Sequence, residues 1–169
     1  MMRWTLVLLL SVGMGVGVNA QEKFESEDEE VVIENVEVRV TPQGPVVLLE
    51  ARERAIPIYV DPTVAGSIQG ALNGLKFPRP LSHDLMHTML EAYSIQVDRV
   101  FISLKDGVYY ATMTLSLNGQ LKIFDSRSSD AIALAVHFHT PIVVSRTLLE
   151  SAGNPRDDED DKKEGQVQL

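Results

Sequence analysis

Two dipeptides, Asp106-Gly107 and Asn118-Gly119, constrain this chain more than any other feature. Each suits a two-residue turn in which both residues take positive φ, the connection that joins neighbouring antiparallel strands. The stretch between them alternates, with Tyr109, Ala111, Met113, Leu115 and Leu117 on one face and Tyr110, Thr112, Thr114 and Ser116 on the other. A period of two with one apolar face marks a strand lying half on a core. The spacing therefore predicts a three-stranded meander, Ile95 to Ser103, then the alternating strand, then Gln120 to Phe124.

The same order precedes it. Val31 to Val40 alternates, Pro42-Gln43-Gly44 turns, and Val46 to Glu50 and Ile56 to Val60 are short apolar strands split by Arg52-Glu53-Arg54. Asp61-Pro62 then sets a helix start, Asp61 as cap and proline at the first helical position. This helix runs to about Leu75, and Gly66 and Gly70, one turn apart, suggest close approach to a sheet. After Phe77-Pro78-Arg79-Pro80, Ser82 is expected to cap a second helix reaching Tyr93. In the second half, Asp130 opens a nearly all-apolar helix through Phe138. Ile142 to Val144 is extended, and Ser145 caps a last short helix before Gly153-Asn154-Pro155. Both halves read strand, strand, strand, helix, helix. Asp61, Ile68 and Ala71 recur 64 residues later as Asp125, Ile132 and Ala135. The expected fold is α+β: duplicated β3α2 units forming a single curved, barrel-like sheet covered by helices.

The flanks differ in kind. Residues 1–20 read as a secretory signal peptide: Arg3, an apolar stretch from Trp4 to Val18, and the small-x-small Val18-Asn19-Ala20. An uncleaved anchor is the alternative, but a spanning helix needs about 20 apolar residues. Cleavage leaves a chain from Gln21 outside the cytoplasm, periplasmic or extracellular and free of the membrane. The chain has no cysteine, which removes disulfides, thiolate zinc sites and cysteine nucleophiles. Of the net charge of −9, most sits in two acidic blocks, within 21–44 and 155–169, while 45–154 holds ten acids against nine bases. Such blocks repel themselves and are expected to be disordered over 21–30 and 154–169, leaving 31–153 as the folded domain.

Two segments concentrate chemistry. In Arg79-Pro80-Leu81-Ser82-His83-Asp84-Leu85, His83 and Asp84 fall in a first helical turn, where free N–H groups favour an anion. Down that helix Leu85, Met86, Met89, Leu90 and Tyr93 form an apolar stripe. Asp84, His87 and Glu91 lie opposite, a row that either holds a divalent metal or simply faces water. In Asp125-Ser126-Arg127-Ser128-Ser129-Asp130, two carboxylates flank one guanidinium before a buried helix. Arg127 suits a bidentate phosphate contact. Equally, the segment is a folding corner in which Ser129 caps, Asp130 answers the helix dipole and Arg127 pairs with an aspartate. His137 and His139, two apart, do not share a helical face and read as stabilisers of the helix C-terminus. No phosphate-binding glycine loop, HExxH or GxSxG sequence is present.

These segments also carry a resemblance. Pro78-Arg79-Pro80-Leu81-Ser82-His83-Asp84-Leu85 resembles the PRP-L-[ST]-HDL signature of the bifunctional nuclease domain family. Asp125 through Ala135 resembles its D-x-RPSDAIALA signature, with Ser128 where the family usually has proline, and Ile56-Pro57-Ile58-Tyr59-Val60 resembles its LPIWI-like strand. The similarity covers about Pro45 to Ala152. It implies a duplicated β3α2 fold and hydrolysis of phosphodiester bonds in DNA and RNA with little sequence specificity. On that reading His83, Asp84, Asp125, Arg127 and Asp130 are catalytic: the carboxylates hold a divalent cation such as Mg²⁺ or Mn²⁺ or activate water, and His83 is the acid–base partner. Arg79 and Ser129 bind substrate, and the partner is nucleic acid. The near-neutral domain and the few aromatic residues, 6%, fit a nucleic-acid binder poorly. The competing expectation is a non-enzymatic exported binding or assembly module, a homodimer among its forms, whose motifs are structural.

Overall fold

The computed structural model describes residues 28–156. The expected signal peptide and the acidic residues before 28 and after 156 lie outside them. In chain order the elements are β1 (Glu30–Val32), β2 (Asn35–Thr41), β3 (Gly44–Ala51), β4 (Arg54–Tyr59), α1 (Pro62–Leu72), α2 (Ser82–Ala92), β5 (Gln96–Lys105), β6 (Val108–Leu117), β7 (Gln120–Arg127), α3 (Ser128–Phe138), β8 (Ile142–Ser145), α4 (Arg146–Ala152) and β9 (Asn154–Pro155).

The two hairpins form as their turn residues require. Asp106 and Gly107 take φ of 52° and 77°, and Asn118 and Gly119 take the same values, the left-handed pair that matches strand twist. The register runs from Gln96↔Ser116 to Lys105↔Val108 between β5 and β6, with an irregularity between Val97 and Arg99, and from Tyr110↔Arg127 to Leu117↔Gln120 between β6 and β7. Ala111 is buried and Tyr109, Met113 and Leu115 pack on the core, the face that the alternation picks out.

The α+β class holds, with four helices and nine strands among the described residues. The single barrel-like sheet does not. The strands divide into two sheets, ordered β1-β8-β5-β6-β7 and β2-β3-β4-β9. The stretch 31–40, expected as one strand, changes sheet at Ile33-Glu34, where the Ile33 N–H donates to Ile142 and the Glu34 N–H to Glu50. The reason lies in α3. Its Ala131–Val136 run is buried throughout, and a helix apolar all round needs cover on every side. It packs on β5, β6 and β7, on α1 and on α2, while α1 in turn meets β2 and β3. So α3 is a central element and not a lid, and one continuous core joins Val47, Leu49 and Ile56 of one sheet to Val100, Ile102 and Val144 of the other.

Helix starts follow local chemistry. Asp61 Oδ1 accepts the N–H groups of Thr63 and Val64 at 2.8 and 3.1 Å, with Pro62 at the first helical position. Ser145 Oγ accepts the N–H of Leu148. Ser82 is not a cap: Leu81 holds that position, and Asp84 Oδ2 reaches back to accept the Leu81 N–H at 2.7 Å. Nor does Ser129 cap α3. The helix begins at Ser128, two residues before Asp130, with Arg127 at the cap. The paired glycines also differ from expectation. A Cβ at Gly66 would meet open space, and one at Gly70 would meet the Phe77 ring rather than a sheet.

Helix α2 is turned outward. Leu85, Met86, Met89 and Tyr93 of its apolar stripe are exposed, while His83 is buried. Only Leu90 of the stripe packs on the core. The polar face, not the apolar one, is laid against α3.

Candidate active site

Asp130 is the centre of a three-residue relay. Its Oδ2 accepts from Arg127 Nε at 2.6 Å and its Oδ1 from Arg127 Nη2 at 3.0 Å. The same Oδ1 lies 3.1 Å from Nε2 of His83. A bidentate guanidinium–carboxylate pair fixes both planes. The Arg127 hydrogen bonds hold the Asp130 carboxyl below its usual range, against the opposing effect of burial, and His83 adds to the lowering. Arg127 is held more firmly protonated than usual by Asp130, with a further contribution from the charge of Asp61. Its side chain stays 70% exposed while that of His83 is 6% exposed. A guanidinium has five N–H donors, so those not given to Asp130 remain for an incoming anion.

Asp125 and Arg127, two apart on β7, point to one face of the sheet. Asp125 is exposed and its carboxylate has no hydrogen bond or ion pair among the described residues. The same is true of Arg79, in the exposed segment before α2. Ser129 occupies the second turn position of α3, half-buried, and its hydroxyl makes no hydrogen bond among the described residues.

Asp84 belongs to a different cluster from its neighbour His83. Besides capping α2, it places Oδ1 3.6 Å from Nε2 of His137, which also meets Ser67 Oγ at 3.1 Å. His87 stacks on His137 with ring centroids 5.5 Å apart and meets Phe138 edge-on at 4.5 Å. Glu91 pairs with His87 at 3.4 Å. The row Asp84, His87, Glu91 is thus turned toward the end of α3 and not to open water alone. It lines a cleft of about 600 Å³ shared with His137, His139 and Lys76. Burial pushes His137 below the usual histidine range, the nearby Asp84 carboxylate pulls the other way, and the imidazoles of His87, His83 and His139 add to the lowering. His139 ends α3 in a left-handed conformation, φ 53°.

Among the described residues no group of three or more histidine, aspartate and glutamate side chains could hold a metal ion. Both oxygens of Asp130 are already engaged, and Asp84 and Asp130 serve separate clusters. Of the expected carboxylates only Asp125 keeps its side chain unpartnered, so a divalent cation there would take most of its ligands from water and substrate phosphate.

Residues outside the expected set join these clusters, among them Asp61, Ser67, Lys76 and His137. His137 lies seven residues after Asp130, hence on the same face of α3, a spacing that points both at α2. Asp61 is signalled as the cap of α1 and by its repeat relation to Asp125, and Ser67 by nothing in the sequence.

The sequence pattern of the bifunctional nuclease domain matches residues 46–157, and the chain belongs to that family. Two curated relatives, uncharacterised proteins of Mycobacterium tuberculosis strains CDC 1551 and H37Rv, are each 32% identical over 137 residues, covering 79% of this chain and 82% of theirs.

Proposed function

We propose that the protein is an exported nuclease that hydrolyses phosphodiester bonds in DNA and RNA with little sequence specificity. The supporting observation is Arg127: an outward guanidinium clamped by Asp130, itself backed by buried His83. A cation fixed in this way meets a phosphate without reorganising, which is how electrostatic stabilisation of a phosphoryl transition state is achieved. Asp125, exposed on the same strand face, is the carboxylate free to accept a proton from attacking water. His83 and Asp130 then act as positioning residues, and Asp84 holds the start of α2. Arg79 and Ser129 are available to the substrate backbone. The family's name supports nucleic acid as the partner, and residues 1–20 support export.

The test is hydrolysis of single- and double-stranded DNA and of RNA by the purified protein, with Mg²⁺, Mn²⁺ or EDTA. Cleavage that is lost in Arg127→Ala and in Asp125→Asn, both exposed and expected to fold, supports the assignment. Cleavage that persists in both places the chemistry elsewhere. No cleavage under any condition favours the second reading, a binding or assembly module, which the exposed apolar stripe of α2 supports.

A further inference from the structure

The cleft beside α2 is walled by the end of α1, the segment 74–80, the polar face of α2 and the end of α3. Its volume of about 600 Å³ suits a small organic group. Aromatic rings line it from two sides. His87 is stacked on His137 and keeps 25% of its side chain exposed. Phe77 is 42% exposed and lies against α1 at Gly70, where a Cβ would stand 2.8 Å from its ring carbon Cε2. Any side chain in place of Gly70 would push that ring away, so the glycine sets the ring's position.

The polar groups narrow the choice of occupant. Among the described residues no group of three could hold a metal ion. Asp84 and Glu91 outnumber Lys76, and α1 and α3 both bring their C-terminal, electronegative ends to this cleft. An anion is therefore disfavoured. Burial holds His137 below the usual histidine range, which favours its neutral form. The lining suits a flat, uncharged group with apolar faces and N–H donors at its rim. Helix α3 ties the cleft to the Arg127 site. Asp130 grips Arg127, and His137, seven residues on and about 10 Å along the axis, lines the cleft. On α2 the neighbours His83 and Asp84 serve one site each. Exposed Arg79 directly precedes Pro80 of the cleft wall.

We propose that this cleft is a base-binding subsite, holding one unstacked nucleobase of a strand whose phosphate lies at Arg127. Nucleic acid as the ligand rests on the function proposed above, and the place of the base is what the cleft adds. Phe77 and His87 offer ring faces for stacking, and every base has a π-face. Each base also carries an N–H on its pairing edge, for which the Asp84 and Glu91 carboxylates are acceptors. Neither contact selects one base strongly, in keeping with low sequence specificity.

Binding, measured apart from cleavage, tests this. A short labelled DNA strand with cleavage-resistant phosphorothioate linkages is compared, by fluorescence anisotropy with the full chain, with the same strand made abasic throughout. The base-bearing strand should bind roughly 5- to 100-fold more tightly, the contribution of one stacked base. Phe77→Ala should bring the two strands close together, while Phe77→Tyr, which keeps a ring, should retain most of the difference. Gly70→Ala, which displaces the ring without removing it, should also narrow it. Arg127→Ala should weaken both strands alike. Equal binding of the two strands, binding of neither, or a difference that survives Phe77→Ala overturns the inference. A Phe77-dependent difference in a protein that hydrolyses nothing removes the catalytic reading and leaves the subsite standing. Hydrolysis without that difference does the reverse.

Discussion

Nε2 of His83 and Oδ1 of Asp130 lie 3.1 Å apart, joining the first turns of two helices from residues 47 positions apart in the chain. His83 is buried, so the carboxylate is its way of satisfying a polar ring inside the fold. Asp130→Ala should therefore destabilise the protein by about 1–3 kcal/mol, the cost of a buried polar group left unpaired. Asp130→Asn, which keeps a hydrogen-bonding oxygen, should cost less. Urea unfolding of the three proteins measures the order.

Asp61 caps α1 through two N–H groups and contributes its charge to Arg127. Asp61→Ala should lower stability by about 1 kcal/mol through the lost cap. Thermal unfolding checks this, and Asp61→Asn, which keeps the capping oxygen, should recover most of the loss.

Acid should loosen the α2–α3 junction in two stages. His137 is held below the ordinary histidine value of 6.5, chiefly by burial. The unfolded chain therefore takes up a proton before the folded one does, and stability present above about pH 6.5 is lost as pH falls toward the folded value. Asp130, held below 3.8 chiefly by its hydrogen bonds to Arg127, has the same sign: its contribution is present above pH 3.8 and is lost below it. Urea midpoints across this range should fall with pH. His137→Gln should remove the upper stage and leave the lower one.

Two glycine substitutions should act in opposite directions. At Gly153 a Cβ would stand 2.3 Å from the Leu149 carbonyl oxygen and 3.1 Å from Arg54 Cβ. Both backbone groups of Gly153 are already committed, its N–H to Leu149 and its oxygen to Arg54. Gly153→Ala should cost about 1–3 kcal/mol. Gly66, within α1 with nothing near its missing Cβ, should gain roughly 0.5–1 kcal/mol as alanine. Chemical denaturation of both variants decides.

Local signals carried the fold furthest. Asp106-Gly107, Asn118-Gly119, Asp61-Pro62 and Ser145 each act through their immediate neighbours, and each forms the turn or cap expected of it. The division into two sheets was not legible, because it depends on how many sides of α3 need cover. The orientation of α2 was missed for a related reason. Periodicity separates Leu85, Met86, Met89 and Tyr93 from Asp84 and His87, but which face turns inward is settled by histidines on a helix distant in sequence. Of the expected site residues, His83, Arg127 and Asp130 come together. Asp84 sits in the neighbouring cluster with His137, and Asp125, Ser129 and Arg79 make no side-chain contact to either through hydrogen bonds among the described residues.

The two sheets trade their outermost strands. Strand β1, from the start of the chain, pairs with β8 in the sheet of the second half, and β9, from its end, pairs with β4 in the sheet of the first. The repeats are thus clasped rather than juxtaposed. Cutting the chain between α2 and β5 would leave each half without a strand that only the other can lend, so neither repeat survives as a separable module.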